Sequence, residues 1–237
     1  RDQSLCFASE IKGLLPLIGS LELNPKIAFD YLRYCLIDHT NQTFFAGVYS
    51  LEAGCKATFK DYVSIERYYT PSAGGGDIED TIFDSVKLRT RTDTEFGVSL
   101  SGGLDSSLIT HFASSFTEEL KSFTVDFDDP RFSERKYVED NIVANDLDGY
   151  FVRPNPDDLE GDLHDLLYTH ESPVRSLSTY IQYKLYEFIK DNSDVKVVLS
   201  GQGADEVFTG YTNDYFKYFI SCVFRFKFFG AIKCLIR

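Results

Sequence analysis

Two short stretches contain residues whose types and spacing suit phosphate chemistry. In the first, Ser101-Gly102-Gly103-Leu104-Asp105-Ser106-Ser107, two glycines sit among three hydroxyls and one acid. The second, Ser200-Gly201-Gln202-Gly203-Ala204-Asp205-Glu206, repeats that mixture. Glycines ahead of a helix let phosphate oxygens approach backbone N–H groups that lack an intrahelical acceptor, and the positive end of the helix dipole favours an anion. The hydroxyls of Ser101, Ser106 and Ser107 add donors. Asp105 is out of place beside a bare anion. A magnesium ion arriving with a nucleoside triphosphate resolves the conflict, so the first loop predicts Mg-ATP. The sequence has no G-x-x-x-x-G-K-[ST] run, so this is not a Walker-type loop.

Regular elements must hold both loops in place. Phe96 to Leu100 is a short apolar run of the kind a buried parallel strand uses, and Leu104, Leu108 and Phe112, joined by Ile109, Ala113 and Phe116, switch to helical spacing. Strand, loop and helix therefore follow in that order. The pattern continues with strands at Ser122–Phe127, Tyr150–Val152 and Val195–Leu199. Helices intervene from near Ser133, expected as an N-cap, and near 157–170 and 178–191. A helix over Asp77–Thr90, with Ile78, Ile82, Val86 and Arg89 on one stripe, precedes the first of these strands; ahead of it, residues 1–15 read as an apolar strand and a turn, and Asn24 as the cap of a helix starting at Pro25. Such alternation implies an α/β fold, a parallel sheet with helices on both faces. Ligands of such sheets bind beyond the carboxyl ends of the strands, where two loops can face one molecule. Asp105 and Asp205 would then hold Mg²⁺ between them, although plainer roles on a helix dipole stay open for Asp205 and Glu206.

The first loop resembles that of the ATP-pyrophosphatase (PP-loop) group, whose members cleave ATP between the α- and β-phosphates. The run Asp205-Glu206-Val207-Phe208-Thr209-Gly210-Tyr211, with Ser200 to Ala204 before it, narrows the resemblance to the glutamine-hydrolysing asparagine synthetase family. So do Phe123-Thr124-Val125-Asp126-Phe127-Asp128 and Phe7-Ala8-Ser9-Glu10-Ile11-Lys12-Gly13-Leu14, the latter similar to the run that closes that family's glutaminase domain. The implied fold is adenine nucleotide alpha hydrolase-like, preceded by the remnant of an α+β glutaminase domain. The implied domains are a glutaminase tail over 1–70, a linker over 71–76 and an ATP-pyrophosphatase domain over 77–237. Carried over position by position, Leu100 and Val125 would line the adenine and ribose, and Ser101, Gly102, Gly103, Asp105, Ser106 and Ser107 would hold the phosphates. Ser200 and Gly201 would meet the nucleotide from its other side. Asp105, Asp205 and Gln202 are the candidate catalytic residues, Asp105 and Asp205 the metal ligands, and Arg175 and Gln202 the contacts to the acceptor. Two positions depart from the pattern. Gln202 stands where well-known asparagine synthetases have Glu, and an amide cannot act as a general base. Asp126 stands where relatives commonly show Gly.

The implied reaction is ATP-dependent amidation of aspartate through a β-aspartyl-AMP intermediate, with glutamine or ammonia supplying nitrogen. A sister enzyme acting on a carboxylated sugar or closing a β-lactam is the first alternative, and a non-catalytic protein retaining the fold is the second. The net charge of −13 argues against a nucleic-acid partner. Five scattered cysteines without a C-x-x-C pair read as free thiols in a reducing, cytoplasmic setting. Tyr215 to Arg237 is aromatic and basic, with too many charges to span a membrane; it reads as a helix whose packing partners lie elsewhere, with a membrane-surface helix as the second reading. A homodimer is kept open. The chain begins with Arg1 and contains no methionine, which is read as an internal piece of a longer product. On that reading the glutaminase nucleophile and a C-terminal lysine lie outside it.

Overall fold

The structure, a computed structural model, describes residues 5–225 apart from Asp61 and Ala73. In chain order a 3-10 turn, Ile11–Leu14, leads into α1 (Leu15–Ile18), followed by α2 (Pro25–Tyr34) and an antiparallel pair, β1 (Cys55–Phe59) and β2 (Val63–Arg67). Next come α3 (Ile78–Arg89), β3 (Phe96–Ser99), α4 (Leu104–Ser114), β4 (Lys121–Val125), α5 (Arg135–Asn145) and β5 (Asp148–Val152). The remaining elements are α6 (Leu159–His170), α7 (Leu177–Asn192), β6 (Val197–Leu199), α8 (Ala204–Phe208) and α9 (Thr212–Phe224). They fall into two compact units. One is drawn from Arg1–Gly75 and Asn155–Tyr183, the other from Gly76–Pro154 and Lys184–Arg237.

In the second unit four strands form a parallel sheet in the order β5-β4-β3-β6. Side chains alternate across it with period two. Val98, Leu100, Leu120 and Leu199 face one layer, where Val86 of α3, Phe112 and Ala113 of α4 and Val138 of α5 close the core. Phe123 faces the other layer with Leu185 and Ile189 of α7 and with Val195. Helices therefore cover both faces. Gly97 makes the second layer possible, since a Cβ there would lie 2.9 Å from the Phe123 ring and 3.0 Å from the Lys121 carbonyl. The Phe123 ring stacks on Tyr150.

Three expectations need correction. No strand forms over residues 5–10, and the apolar run after them is helical. Pro16 suits the first turn of α1, Gly19 stops it at φ +79°, and the amides of Ile11 and Lys12 are taken by the Glu171 carboxylate at 2.8 and 2.6 Å. α5 starts from Glu134, one residue beyond the expected Ser133, yet the Ser133 hydroxyl oxygen still accepts the Arg135 N–H at 3.4 Å while its proton goes to Asp126. The stripe of α3 runs through Ile82, Phe83 and Val86, whereas Ile78 is exposed. Asn24 does cap α2, accepting from the amides of Lys26 and Ile27. On α9 Cys222 is buried while Phe216, Tyr218 and Phe224 are exposed, and 226–237, the rest of the aromatic and basic stretch, lies outside the described residues. Among the described residues no helix is long and apolar enough to cross a membrane. Cys6, Cys35, Cys55 and Cys222 are in no disulfide.

Candidate nucleotide site

The strands run outward from β3 to β4 to β5, and the chain then returns to place β6 on the opposite side of β3. The β3–β6 junction is thus where the winding reverses, and both glycine-rich loops leave the sheet there. Val98 pairs with Leu199, so the two loops begin from neighbouring strand ends. Gly201 rests directly on the start of α4: a Cβ on it would lie 2.8 Å from the Ser106 nitrogen and 2.9 Å from both the carbonyl carbon and the Cβ of Asp105.

The first loop is braced internally. Gly102 has φ +82°, and a Cβ on it would press on the Glu134 carbonyl at 3.2 Å and on Tyr137. Glycine is required there on both grounds. Buried Ser106 donates its hydroxyl to the Gly103 carbonyl at 3.1 Å and also meets the Ser101 hydroxyl at 3.0 Å. Ser107 donates to the same carbonyl at 2.8 Å. The hydroxyls of all three serines therefore shape the turn, Ser101 by accepting the Gly103 N–H at 3.3 Å, but Ser101 alone is exposed, at the lip. The first-turn amides of α4 have no acceptor within the helix and supply the anion-binding character. Leu104 is exposed at the same end, the one residue of its apolar stripe outside the core.

Leu100 turns its side chain into the core, receives the Thr124 hydroxyl on its carbonyl at 2.7 Å and donates its N–H to Phe123. Val125, at the end of β4, is half-buried against the opposite layer. Ser200 is half-buried and Gln202 exposed after β6. Asp105 is half-buried in the first turn of α4. Asp205 lies in the first turn of α8 with its carboxylate against Gly210, where a Cβ would overlap it. Glu206 accepts the Tyr211 hydroxyl at 2.7 Å, and this bond raises the phenol above its usual range. Arg175 is exposed in the turn between α6 and α7 and belongs to the other unit.

Beside the first loop, at the ends of β4 and β5, lies a charged cluster with no short-range motif. Asp126 is 3% exposed. Its Oδ2 accepts Nη2 and Nε of Arg153 at 2.7 and 3.2 Å and Nη1 of Arg135 at 2.9 Å, while Oδ1 accepts the Ser133 hydroxyl at 3.0 Å. The hydrogen bond from Arg153 is the main reason the carboxyl is lowered to about 2; burial opposes it, and Ser133 and Arg135 reinforce it. Arg135 also lies over the Phe151 ring at 4.1 Å. The cluster borders a pocket of about 360 Å³ that Lys136 and Pro130 also line.

A four-stranded parallel sheet covered by helices on both faces, with a Ser-Gly-Gly turn and a second glycine loop at its reversal point, defines an α/β domain. The model of the asparagine synthase family matches residues 77–225, and the chain belongs to that family. It is 29% identical over 218 residues to asparagine synthetase [glutamine-hydrolyzing] 1 of Bacillus subtilis (strain 168), covering 86% of this chain and 34% of that protein. It is 30% identical over 223 residues to a putative asparagine synthetase [glutamine-hydrolyzing] of Mycobacterium bovis, with the same coverage of 86% and 34%. The chain thus spans about a third of the length of these relatives. Among solved structures it is similar to an NH3-dependent NAD synthetase from Campylobacter jejuni determined with a nitrate ion, at 14% identity and a TM-score of 0.38, covering 56% of this chain and 59% of that one.

Proposed function

We propose that the chain is the nucleotide-binding part of a cytoplasmic, glutamine-hydrolysing asparagine synthetase. The protein would use ATP to adenylylate the side-chain carboxylate of aspartate, release pyrophosphate and pass the acyl group to ammonia drawn from glutamine. The observation that carries this reading is the seating of Gly201 on the Asp105–Ser106 backbone, which gives one nucleotide two walls. In the same reading 1–70 is the tail of the glutaminase domain, 71–76 a linker and 77–237 the ATP-pyrophosphatase domain.

The chain's own work is positioning and charge stabilisation. Amides at the start of α4 and the lip hydroxyl of Ser101 hold the phosphates. The carbonyl of Leu100 and the end of β4 at Val125 flank the nucleoside, and Ser200 and Gly201 close the opposite side. The oxygen donors of Asp105 and Asp205 are of the kind Mg²⁺ takes, and both stand in the first turns that follow the two loops. Magnesium would neutralise charge on the departing pyrophosphate. Gln202, exposed beyond β6, orients the acceptor through its amide.

Calorimetry with Mg-ATP on the folded chain tests the nucleotide site, and an absence of binding refutes it. Pyrophosphate release by the complete protein tests the acceptor. Release that depends on aspartate is expected, and release that answers only to a carboxylated sugar or a β-lactam precursor would transfer the chain to a sister activity.

A further inference from the structure

Asp126 holds the two residues that flank Glu134, namely Ser133 through its hydroxyl and Arg135 through its guanidinium. Glu134 is the residue whose carbonyl and Cβ face Gly102 in the phosphate loop, at 3.2 and 3.3 Å from the place where a Cβ would stand. Tyr137, in the first turn of α5, completes that wall at 3.2 Å. A buried carboxylate at the end of β4 thus fixes the start of α5, and the start of α5 fixes the loop. A second tie runs in parallel, since Thr124, two residues earlier on β4, donates to the Leu100 carbonyl where the loop begins.

We propose that Asp126 is a positioning residue for the phosphate loop, acting through Ser133, Arg135 and Glu134 on Gly102. Both carboxylate oxygens are occupied by protein donors, which leaves Asp126 to act on the nucleotide through the loop rather than by contact. Its other partner, Arg153, holds the end of β5 and has no part in the path to Gly102. The two arginines therefore separate positioning from general stability. Arg153 donates twice to Asp126 and once to Asp128, so a merely structural cluster would depend on it at least as much as on Arg135.

The proposal rests on the reading that the loop binds the phosphates of ATP. Its test compares the affinity of Mg-ATP, and of inorganic pyrophosphate as competitor, in the wild type, in Asp126→Asn, in the double variant Ser133→Ala/Arg135→Gln and in Arg153→Gln, with circular dichroism to confirm folding. Asp126→Asn and the double variant are expected to weaken ATP and pyrophosphate by the same factor, roughly tenfold, the scale set by a displacement of an ångström or less. Arg153→Gln is expected to change both by less than about threefold, an effect within the range of an ordinary half-exposed ion pair. Equal losses in the two arginine variants, or a loss for ATP that pyrophosphate does not share, would overturn the proposal, as would wild-type affinity in a folded Asp126→Asn protein. If Asp126→Asn does not fold, the double variant decides. Failure of the wild type itself to bind Mg-ATP removes the nucleotide reading, and the positioning role with it.

Discussion

Gly201 and Ser106, nearly a hundred residues apart in sequence, touch through their main chains: a single carbon added to Gly201 would stand 2.8 Å from the Ser106 nitrogen. The obstructing atoms are two of the backbone and the Asp105 Cβ fixed to it, none of which can swing aside as a side-chain end can. Gly201→Ala should therefore drive the two loops apart. We expect a loss of Mg-ATP affinity of at least about tenfold and a fall in stability of about 1–3 kcal/mol, the usual range for overpacking. Calorimetry and thermal melts report the two effects separately, and an alanine variant with wild-type affinity would show that the loops do not close on a common ligand.

Replacing Asp105 or Asp205 by Asn tests the metal role through the sign of the effect. If these carboxylates meet the nucleotide only by way of Mg²⁺, removing a negative charge lowers the gain in ATP affinity that Mg²⁺ brings. Metal-free ATP, itself an anion, should bind as well as before or better. Titration of ATP affinity against Mg²⁺ concentration reads this directly. Unchanged magnesium dependence in both variants rules out a shared ion.

The Asp126 cluster should leave a mark on acid stability. Its carboxyl is lowered from 3.8 to about 2 in the folded chain, so the unfolded state binds the proton first. The associated stability is fully present above the unfolded value and is lost as pH falls through the folded one, a window from about 4 to about 2. Melting temperatures across that window should drop more steeply for the wild type than for Asp126→Asn. At neutral pH the variant should be less stable by about 2–3 kcal/mol, below the figure for a fully buried pair because both guanidinium groups are half-exposed. Parallel slopes for the two proteins would mean that the carboxylate is not linked to folding.

Thr110 and Ser122 are each 0% exposed, and among the described residues their hydroxyls have no protein partner. An orphaned hydroxyl in an apolar layer is a standing cost. Thr110→Val, which keeps the shape, should stabilise the chain by about 1 kcal/mol, measured by denaturant unfolding. A destabilised valine variant would reveal a partner for that hydroxyl.

Much of the parallel sheet is legible in the sequence because its signals are local. The run from Phe96 to Leu100, the turn of glycines and the helical spacing of Leu108, Phe112 and Phe116 need nothing distant to explain them. What stayed hidden depends on contacts across sequence. Nothing around Ile11 announces that Glu171, 160 residues on, will accept its amide and help draw an apolar run into a helical turn. Ser133 has the composition of a cap and its oxygen does accept the Arg135 N–H, but nothing local shows that its proton goes to buried Asp126. Asp126 stands out in the sequence only as a departure from the family run, Arg135 and Arg153 look like ordinary surface charges, and it takes the pairing of β4 with β5 and the start of α5 to bring the three together. Leu104 continues an apolar stripe but lies at the exposed start of α4. Candidate phosphate residues were found by type and order, whereas the division of labour among Ser101, Ser106 and Ser107 needed their hydrogen bonds.

The missing side chain at Gly97 matters beyond its own strand. Because the Phe123 ring occupies the space a methyl group would need, positions 97 and 123 are in effect a single choice made twice along the chain. A descendant that gains bulk at 97 must surrender it at 123, and must also find room beside the Lys121 carbonyl, 3.0 Å from where that carbon would stand.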